Sequence, residues 1–415
     1  MDATSAPTAK AAIATPAPHA TSHRHAIVVG GSIAGLLAAR VLTEHFARVT
    51  IIERDAIDGS PEFRKGAPQA RHAHALLGRG QAIMEELFPG FIQELRSNGG
   101  VALNMGRDFA FYIHGAWSRP FTSAIVNTGS SRPLLEATLY RRLATHPQLQ
   151  FLPGQEVLGL STDEGGQRVT GVHLRERVAG GPRETFLPAD LVVDASGRSS
   201  QTPRWLAQLG YTPPEEISVN AFPGYATRIY RRPTDFSAKW KALYMMPKAP
   251  THSRGGVILP MEGDRWQVTL IGMAKDYPPT DEAGFLDFAR NLPSPRLYEA
   301  IKDAEPLTAP YGYRQAENRL REYEKLPRYL EGLLVCGDAV YALNPVYGQG
   351  MTVAALGSQV LDKCLKAQRQ RNPYGDLTGL AKQFQQQLAK IIADPWQLAT
   401  GQDLGWPTTE GGKQP

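Results

Sequence analysis

Residues 26–55, AIVVGGSIAGLLAARVLTEHFARVTIIERD, constrain this chain more than any other stretch. The run 26–29 has the unbroken hydrophobicity of a parallel strand covered on both faces. It passes directly into Gly30-Gly31-Ser32-Ile33-Ala34-Gly35 and then into a helix pattern whose apolar face is Leu36, Leu37, Ala39, Val41 and Leu42. A second apolar run, 49–52, ends at Glu53, with Arg54 beside it. Strand, glycine turn, helix, strand and terminal carboxylate in this register predict a βαβ unit that binds a dinucleotide. The glycines let the backbone turn tightly against a pyrophosphate, which the amides at the helix N-terminus then face. Glu53 is placed to accept from adenosine ribose hydroxyls. Ser32 stands where G-x-G-x-x-G has its second glycine, so the reading rests on the whole unit. The competing reading is a glycine-rich turn in an ordinary α/β protein.

Two later segments bear on which dinucleotide it is. Residues 189–200, ADLVVDASGRSS, are a buried strand ending in Asp194 and a glycine turn. Residues 332–351 run from a strand into Gly337-Asp338, then through Asn344-Pro345-Val346-Tyr347 to Gly348-Gln349-Gly350-Met351 and a helix expected over 351–361. A nicotinamide dehydrogenase has no need of this second half, whereas a flavin has. Asp338 is placed for the ribityl hydroxyls, and a helix N-terminus at 348–351 can stabilise the negative charge that a reduced flavin ring gains near N1.

In this order the three segments resemble the flavoprotein monooxygenases of the para-hydroxybenzoate hydroxylase type, over roughly residues 25–405. Residues 64–74, 224–228, 344–348 and 396–400 more narrowly resemble the polyether-type flavin epoxidases, the lasalocid epoxidase among them, with squalene epoxidases more distant. The resemblance implies an α/β fold: a Rossmann-like FAD-binding domain with an inserted antiparallel-sheet substrate domain and C-terminal helices. It implies one oxygen atom of O2 entering an apolar small molecule through a flavin C4a-hydroperoxide, with alkene epoxidation in secondary metabolism as the expected reaction. NADPH or NADH would supply electrons directly or through a separate flavin reductase. Val157 would offer its backbone to the adenine, and Arg132 and Arg71 would reach phosphate or flavin. Pro345, which has no amide hydrogen, would wall the oxygen side of the ring. Tyr225 and Arg228 would guide substrate or ring movement. Asp194 is carried over with the central motif, although two residues separate it from Gly197 where the hydroxylases have a strict Asp-Gly.

The expected division is a mobile tail (1–24), a discontinuous FAD-binding domain (25–100, 130–212 and 310–365), a substrate domain (101–129 and 213–309) and a C-terminal helical segment (366–415). Ser131 is an N-cap for a helix reaching residue 143. A hairpin through Ala179-Gly180-Gly181-Pro182 looks purely structural. Alternating strands are expected over 108–114, 224–230, 256–261 and 265–273, the last two joined through Glu262-Gly263-Asp264. Aromatic and Met residues concentrate there. Part of them must form a core under the sheet, and the rest, with Phe111, Phe222, Tyr244, Met246 and Trp266 as candidates, would wall a pocket over the flavin.

The net charge is +5, but it is dispersed rather than gathered into a stripe, which argues against nucleic acid as a partner. Cys336 and Cys364 sit in apolar surroundings and read as thiols in a reducing compartment, the cytoplasm. No metal-ligand spacing occurs; His72 and His74 lack support for a metal role and are either site or structural residues. No run reaches the roughly 20 apolar residues of a membrane span, and the apolar stripe over 377–392 reads as packing on the protein body. No acid–base triad is visible. Aromatic hydroxylation, halogenation, isoprenoid reduction and a non-catalytic flavoprotein stay open, though no two tryptophans lie one residue apart as in tryptophan-type halogenases.

Overall fold

The structure is a computed structural model that describes residues 24–176, 184–314 and 316–412. The expected tail, residue 24 apart, and the Ala179-Gly180-Gly181-Pro182 connection lie outside the described residues. The βαβ unit forms as strand His25–Val29, helix Ile33–Leu42 and strand Arg48–Glu53. The strands Leu333–Val335, Leu191–Asp194, His25–Val29, Arg48–Glu53 and Leu149–Pro153 lie in that order in one parallel sheet. All three glycine motifs therefore leave the same carboxyl edge. Gly30 turns there at φ +104°, and a Cβ on Gly35 would collide with its carbonyl oxygen. Gly337, at φ +60°, lets its loop close on Ala34, whose Cβ would lie 2.7 Å from an added Cβ.

Ser131 caps the helix Arg132–Ala144 by accepting from the Leu134 amide (3.1 Å). The helix beginning at Gly350 runs to Arg371, well past the expected end, and Leu380–Asp403 packs on it. The stripe Leu377, Leu380, Phe384, Leu388 and Ile392 is buried in the main core. That last helix continues to Asp403 rather than stopping near Ile392. Pro395 removes one internal hydrogen bond, but Ala399, Thr400 and Asp403 beyond it are buried, and this packing holds the final turns.

A seven-stranded sheet forms the second layer, in the order Tyr311–Tyr313, Gly224–Arg231, Arg265–Gly272, Arg254–Met261, Ala242–Met245, Phe109–Ile113, Ala116–Trp117. Its hairpin turns through Glu262, Gly263 and Asp264, with Met261 opposite Arg265. Helices Glu282–Arg290 and Arg296–Ile301 cover one face. Because side chains alternate across a strand, parity decides which layer each residue meets. Trp266, Val268 and Leu270 pack with Phe285, Phe288 and Leu297 on the helix side. A further sheet ties the segments together, pairing Glu216–Asn220 with both Asn318–Arg321 and Glu410–Gly411.

Parity and local turns correct four expected pocket residues. Trp266 is almost fully buried in the helix-side core, with Phe236 edge-on at 4.7 Å. Arg228 shares the parity of Ala226 and Tyr230; it donates to the Thr308 carbonyl (2.7 Å) and to Glu282 (2.5 Å) at the start of a helix. Phe222 sits in a turn at φ +50° with the Lys275 ammonium 4.0 Å from its ring centre. Met246 lies just past its strand, its amide donating to the Tyr112 carbonyl at 3.3 Å.

Asp194 is also a residue of the fold. Its carboxylate is fully buried and accepts from the Ser196 amide (2.9 Å) and from the hydroxyls of Ser196 (2.6 Å), Ser200 (2.5 Å) and Thr202 (2.5 Å). These four donors consume its lone pairs in closing the turn after the strand. Asp194→Ala would strand them in the interior and should cost about 2–4 kcal/mol of stability. Denaturant melts of the cofactor-free protein measure this; an unchanged midpoint would remove the turn-closing role.

Candidate functional site

A cavity of about 700 Å3 lies between the carboxyl edge of the parallel sheet and the uncovered face of the seven-stranded sheet. Of the predicted cofactor residues, Gly30, Ser32, Ile33, Ala34, Glu53, Arg54, Arg132, Val157, Asp338, Gly348, Gln349, Gly350 and Met351 line it, as do Pro345, Tyr225, Phe111 and Tyr244. Gly31, Gly35 and Gly337 sit behind the wall and shape it; the Gly31 amide donates to Glu53 Oε2 (2.8 Å). Arg71 does not line it, because its guanidinium lies between the rings of Phe63 (4.9 Å) and Tyr311 (5.1 Å). Asp194, Arg228, Phe222, Met246 and Trp266 are outside it for the reasons above.

The end of the cavity at the glycine loop is charged and tightly ordered. Glu136, one turn along the helix from Arg132, receives Arg132 (2.9 Å), Arg64 (2.6 Å) and the Ser32 hydroxyl (2.5 Å). Burial would raise its carboxyl, but Arg132 and Arg64 hold it down at about 2. Arg132 also donates to Ser32 Oγ (2.9 Å) and to His74 Nε2 (3.1 Å), so it is fixed rather than free. His74 Nδ1 sits 2.8 Å from the His72 carbonyl oxygen. Nδ1 therefore carries the proton and Nε2 accepts, and burial, with Arg132 adding, depresses the ring to about 3. Arg64 and Glu136 were not singled out from the sequence. The spacing of Arg132 and Glu136, four apart on one helix face, was the available signal.

Asp338 stands midway, and no side-chain hydrogen bond reaches its carboxylate among the described residues. Burial raises it, against the pull of Arg198, Arg132 and Arg319. An acceptor of this kind, facing a cavity without a partner, fits a ligand that brings hydroxyl donors. The flavin's ribityl chain is such a ligand, and the glycine turn, Glu53 and Val157 lie on the same cavity wall. The residues present therefore fit FAD.

At the far end the loop Asn344–Gly350 meets the sheet. Tyr225 donates its hydroxyl to Asn344 Oδ1 (2.6 Å) and accepts from the Val346 amide (3.1 Å), while Tyr244 donates to the Val346 carbonyl (2.7 Å). Burial pushes both phenols above their usual range. The sheet's contribution to the wall includes Phe109 stacked on Phe111 (4.4 Å), Val257, Leu259, Thr269 and Ile271. No carboxylate, ammonium or guanidinium comes from these strands among the described residues. His72 is buried beside them, its Nδ1 2.8 Å from Thr227 Oγ1, and burial, with Arg71 adding, lowers it to about 4. Both cysteines are buried free thiols, and no helix among the described residues is long and apolar enough to cross a membrane.

The sequence matches the family model described as "FAD binding domain" over residues 24–368. It is 34% identical over 393 residues to Protein Rv3254 of Mycobacterium tuberculosis, covering 92% of this chain and 80% of that protein. It is 27% identical to the 6-methylpretetramide 4-monooxygenase of Streptomyces rimosus, covering 80% of this chain and 73% of that one. Among solved structures, the flavin-dependent brominase Bmp2 superposes with a TM-score of 0.66 at 18% identity, over 92% of this chain and 89% of the other. The p-nitrophenol 4-monooxygenase PnpA of Pseudomonas putida does so with 0.65 at 18% identity, over 95% and 91%. The glycine turn, Asp338 and the helix N-terminus at Gly350 thus sit in a fold shared with these solved structures, and the chain belongs to the FAD binding domain family.

Proposed function

We propose that this protein is an FAD-dependent monooxygenase of a neutral, largely apolar small molecule, and that its reaction is epoxidation of an alkene. One atom of dioxygen enters the carbon–carbon double bond and the other leaves as water, with a reduced nicotinamide supplying two electrons directly or through a reductase. Bound in the cavity, reduced FAD supplies the activation of dioxygen.

The observation that carries this reading is the uncharged wall that the seven-stranded sheet presents. Tyr225 and Tyr244 face it, but their hydroxyl protons are committed to Asn344 and Val346. Burial keeps His72 neutral at physiological pH. The chain's own residues thus bind the substrate by apolar contact and exclude water. The sheet's lining residues offer no carboxylate or amine as the base that phenol activation calls for, and the His72 imidazole beside them, held at about 4, is a weak one. The glycine-loop end holds the cofactor's phosphates with the ordered arginines, and Pro345 with Gly350 confines the ring end. Aromatic hydroxylation is the second reading, favoured by the Streptomyces relative, whose name places its monooxygenation on 6-methylpretetramide.

Three outcomes are expected. With FAD, a reductant and a panel of alkenes and phenols in labelled dioxygen, one labelled atom should appear in an alkene product as an epoxide. Ring-hydroxylated product alone would favour the second reading, and halide incorporation or alkene reduction without oxygen uptake would overturn monooxygenation itself.

Asp338→Ala should raise the FAD dissociation constant roughly tenfold or more through loss of a charge-assisted acceptor, measured by flavin fluorescence. Equal affinities in the two proteins would remove the ribityl assignment.

His72 titrates at about 4 in the folded protein, below its ordinary 6.5. The unfolded chain therefore takes up the proton first as pH falls. Stability from this residue is complete above about 6.5 and declines towards 4 by roughly 1.4 kcal/mol per pH unit. The melting temperature of the wild type should fall relative to that of His72→Gln as pH drops from 7 to 5; parallel pH profiles would deny the histidine this role.

A further inference from the structure

The C-terminal helix reaches the ring end of the cavity through one side chain. Asp403, at its last turn, is fully buried. It lies beyond residue 368, where the match to the family model ends. Its Oδ1 accepts from the Tyr347 hydroxyl (2.6 Å), and its Oδ2 accepts from Asn318 Nδ2 (2.6 Å). Asn344 Nδ2 lies 3.1 Å from both oxygens. The Asn344 backbone amide in turn donates to Asn318 Oδ1 (2.7 Å), and the Asn344 Oδ1 accepts from the Tyr225 hydroxyl (2.6 Å) and the Val346 amide (3.2 Å). Every partner of the carboxylate is a donor, so the ionised form satisfies all of them. Burial raises this carboxyl, against the pull of Tyr347, Asn344 and Asn318.

We propose that Asp403 is a positioning residue for the flavin site, holding the segment 344–348, and with it Pro345 and the start of the helix at Gly350, in place against the ring. Tyr225, Asn318, Asn344 and Tyr347 come from three separate elements, and only Asp403 with Asn344 connects them all. The wall that limits the ring is a 3-10 turn, Pro345–Tyr347, followed by Gly348 at φ +66°. A short turn of this kind has few hydrogen bonds of its own, so its shape depends on side chains that reach it from outside. Through Tyr225 the same network also fixes a cavity-lining residue of the sheet. A single carboxylate thereby aligns both sides of the ring end. The inference rests on FAD occupying this cavity and is independent of which substrate is oxidised.

The test compares Asp403→Asn, Tyr347→Phe, the double variant and, as a control, Leu388→Ala, which opens the core fifteen residues earlier on the same helix. Thermal melting reports the fold, and flavin titration and the visible spectrum and reduction potential of bound FAD report the site. Asp403→Asn should raise the FAD dissociation constant roughly tenfold and change the spectrum and the potential. Tyr347→Phe should do so less, and the double variant by less than the two effects combined. Leu388→Ala should lower the melting temperature while the spectrum and potential of its bound FAD stay those of wild type. Wild-type flavin properties in Asp403→Asn, or equal flavin changes in Leu388→Ala, would overturn the proposal. If Asp403→Asn does not fold, Tyr347→Phe alone decides it by the same readouts. Failure of the wild-type protein itself to bind FAD would instead sink the flavin reading.

Discussion

Three backbone hydrogen bonds in one row organise this molecule. At the carboxyl edge of the parallel sheet the Gly30 amide donates to Ile52, the Ala195 amide to Val29 and the Cys336 amide to Asp194, at 2.8 to 2.9 Å. They bring the ends of four strands, drawn from residues 29 to 336, to one level. Three of these strands then turn away at a glycine or a small residue, and the separation opens a crevice lined by backbone amides. The glycine turn, the Asp194 turn and Asp338 become neighbours through this register and through nothing local to any one of them. Register in a sheet buried on both faces is stiff, because a slip of one residue exchanges the sides of every apolar side chain. Side chains that would be too costly to place on a loose loop can therefore be placed here.

The two ends of the cavity solve opposite electrostatic problems. Near Ser32, three ionised side chains share a partly dehydrated space, and the Glu136 carboxylate bridges Arg132 and Arg64. Buried ions are tolerable only when paired and hydrogen-bonded, and each member here has at least one ionic partner. The arginines keep net positive charge at the place where a pyrophosphate would lie, already oriented. Facing the sheet, neutrality is kept by burial and by committing the phenol protons of Tyr225 and Tyr244 to an amide and a backbone acceptor. One end is built to bind charge, and the other to keep water and charge away from a reacting bond.

How much of this was legible depends on the distance over which each signal acts. The strand–turn–helix–strand unit, the Ser131 cap and the Glu262-Gly263-Asp264 turn are local, and each formed where the residues placed it. The substrate wall was legible only in part. Phe111, Tyr225 and Tyr244 line it, whereas Trp266 and Arg228 do not, although all five lie on strands of the same sheet. Parity along Gly224–Arg231 already separates Tyr225 from Arg228 by an odd number of residues, so the strand period held that information. Which parity faced the cavity depended on the helices at Glu282–Arg290 and Arg296–Ile301 taking the other side. Asp194 misled for a different reason: a buried carboxylate at a strand end has the same local sequence whether it holds a ligand or closes its own turn, and only the hydroxyls of Ser200 and Thr202 decide. Asp403 lay behind Pro395, which reads as a helix stop, and tertiary packing beyond the proline overrode that local rule.

Asp338 shows why such a site should be coupled to the stability of the whole. Glu136 and Asp403 are buried carboxylates whose donors come from the protein, so their desolvation is offset as the chain folds. Asp338 has no such donor among the described residues, and burial raises its carboxyl. Asp338 is half-buried and faces the cavity, so a ligand supplying hydroxyls meets an acceptor that no side chain of the protein has engaged among the described residues. Binding to the folded state alone then stabilises it in proportion to the logarithm of ligand saturation. The elements that would feel this most are those whose contacts converge on the crevice: the Gly337 turn, the Asn344–Gly350 loop and the helix that starts behind it. The loop that confines the ring end and the carboxylate that awaits the hydroxyls belong to one connected stretch, residues 337–350. Order imposed on one end of that stretch is transmitted to the other through fourteen residues of backbone.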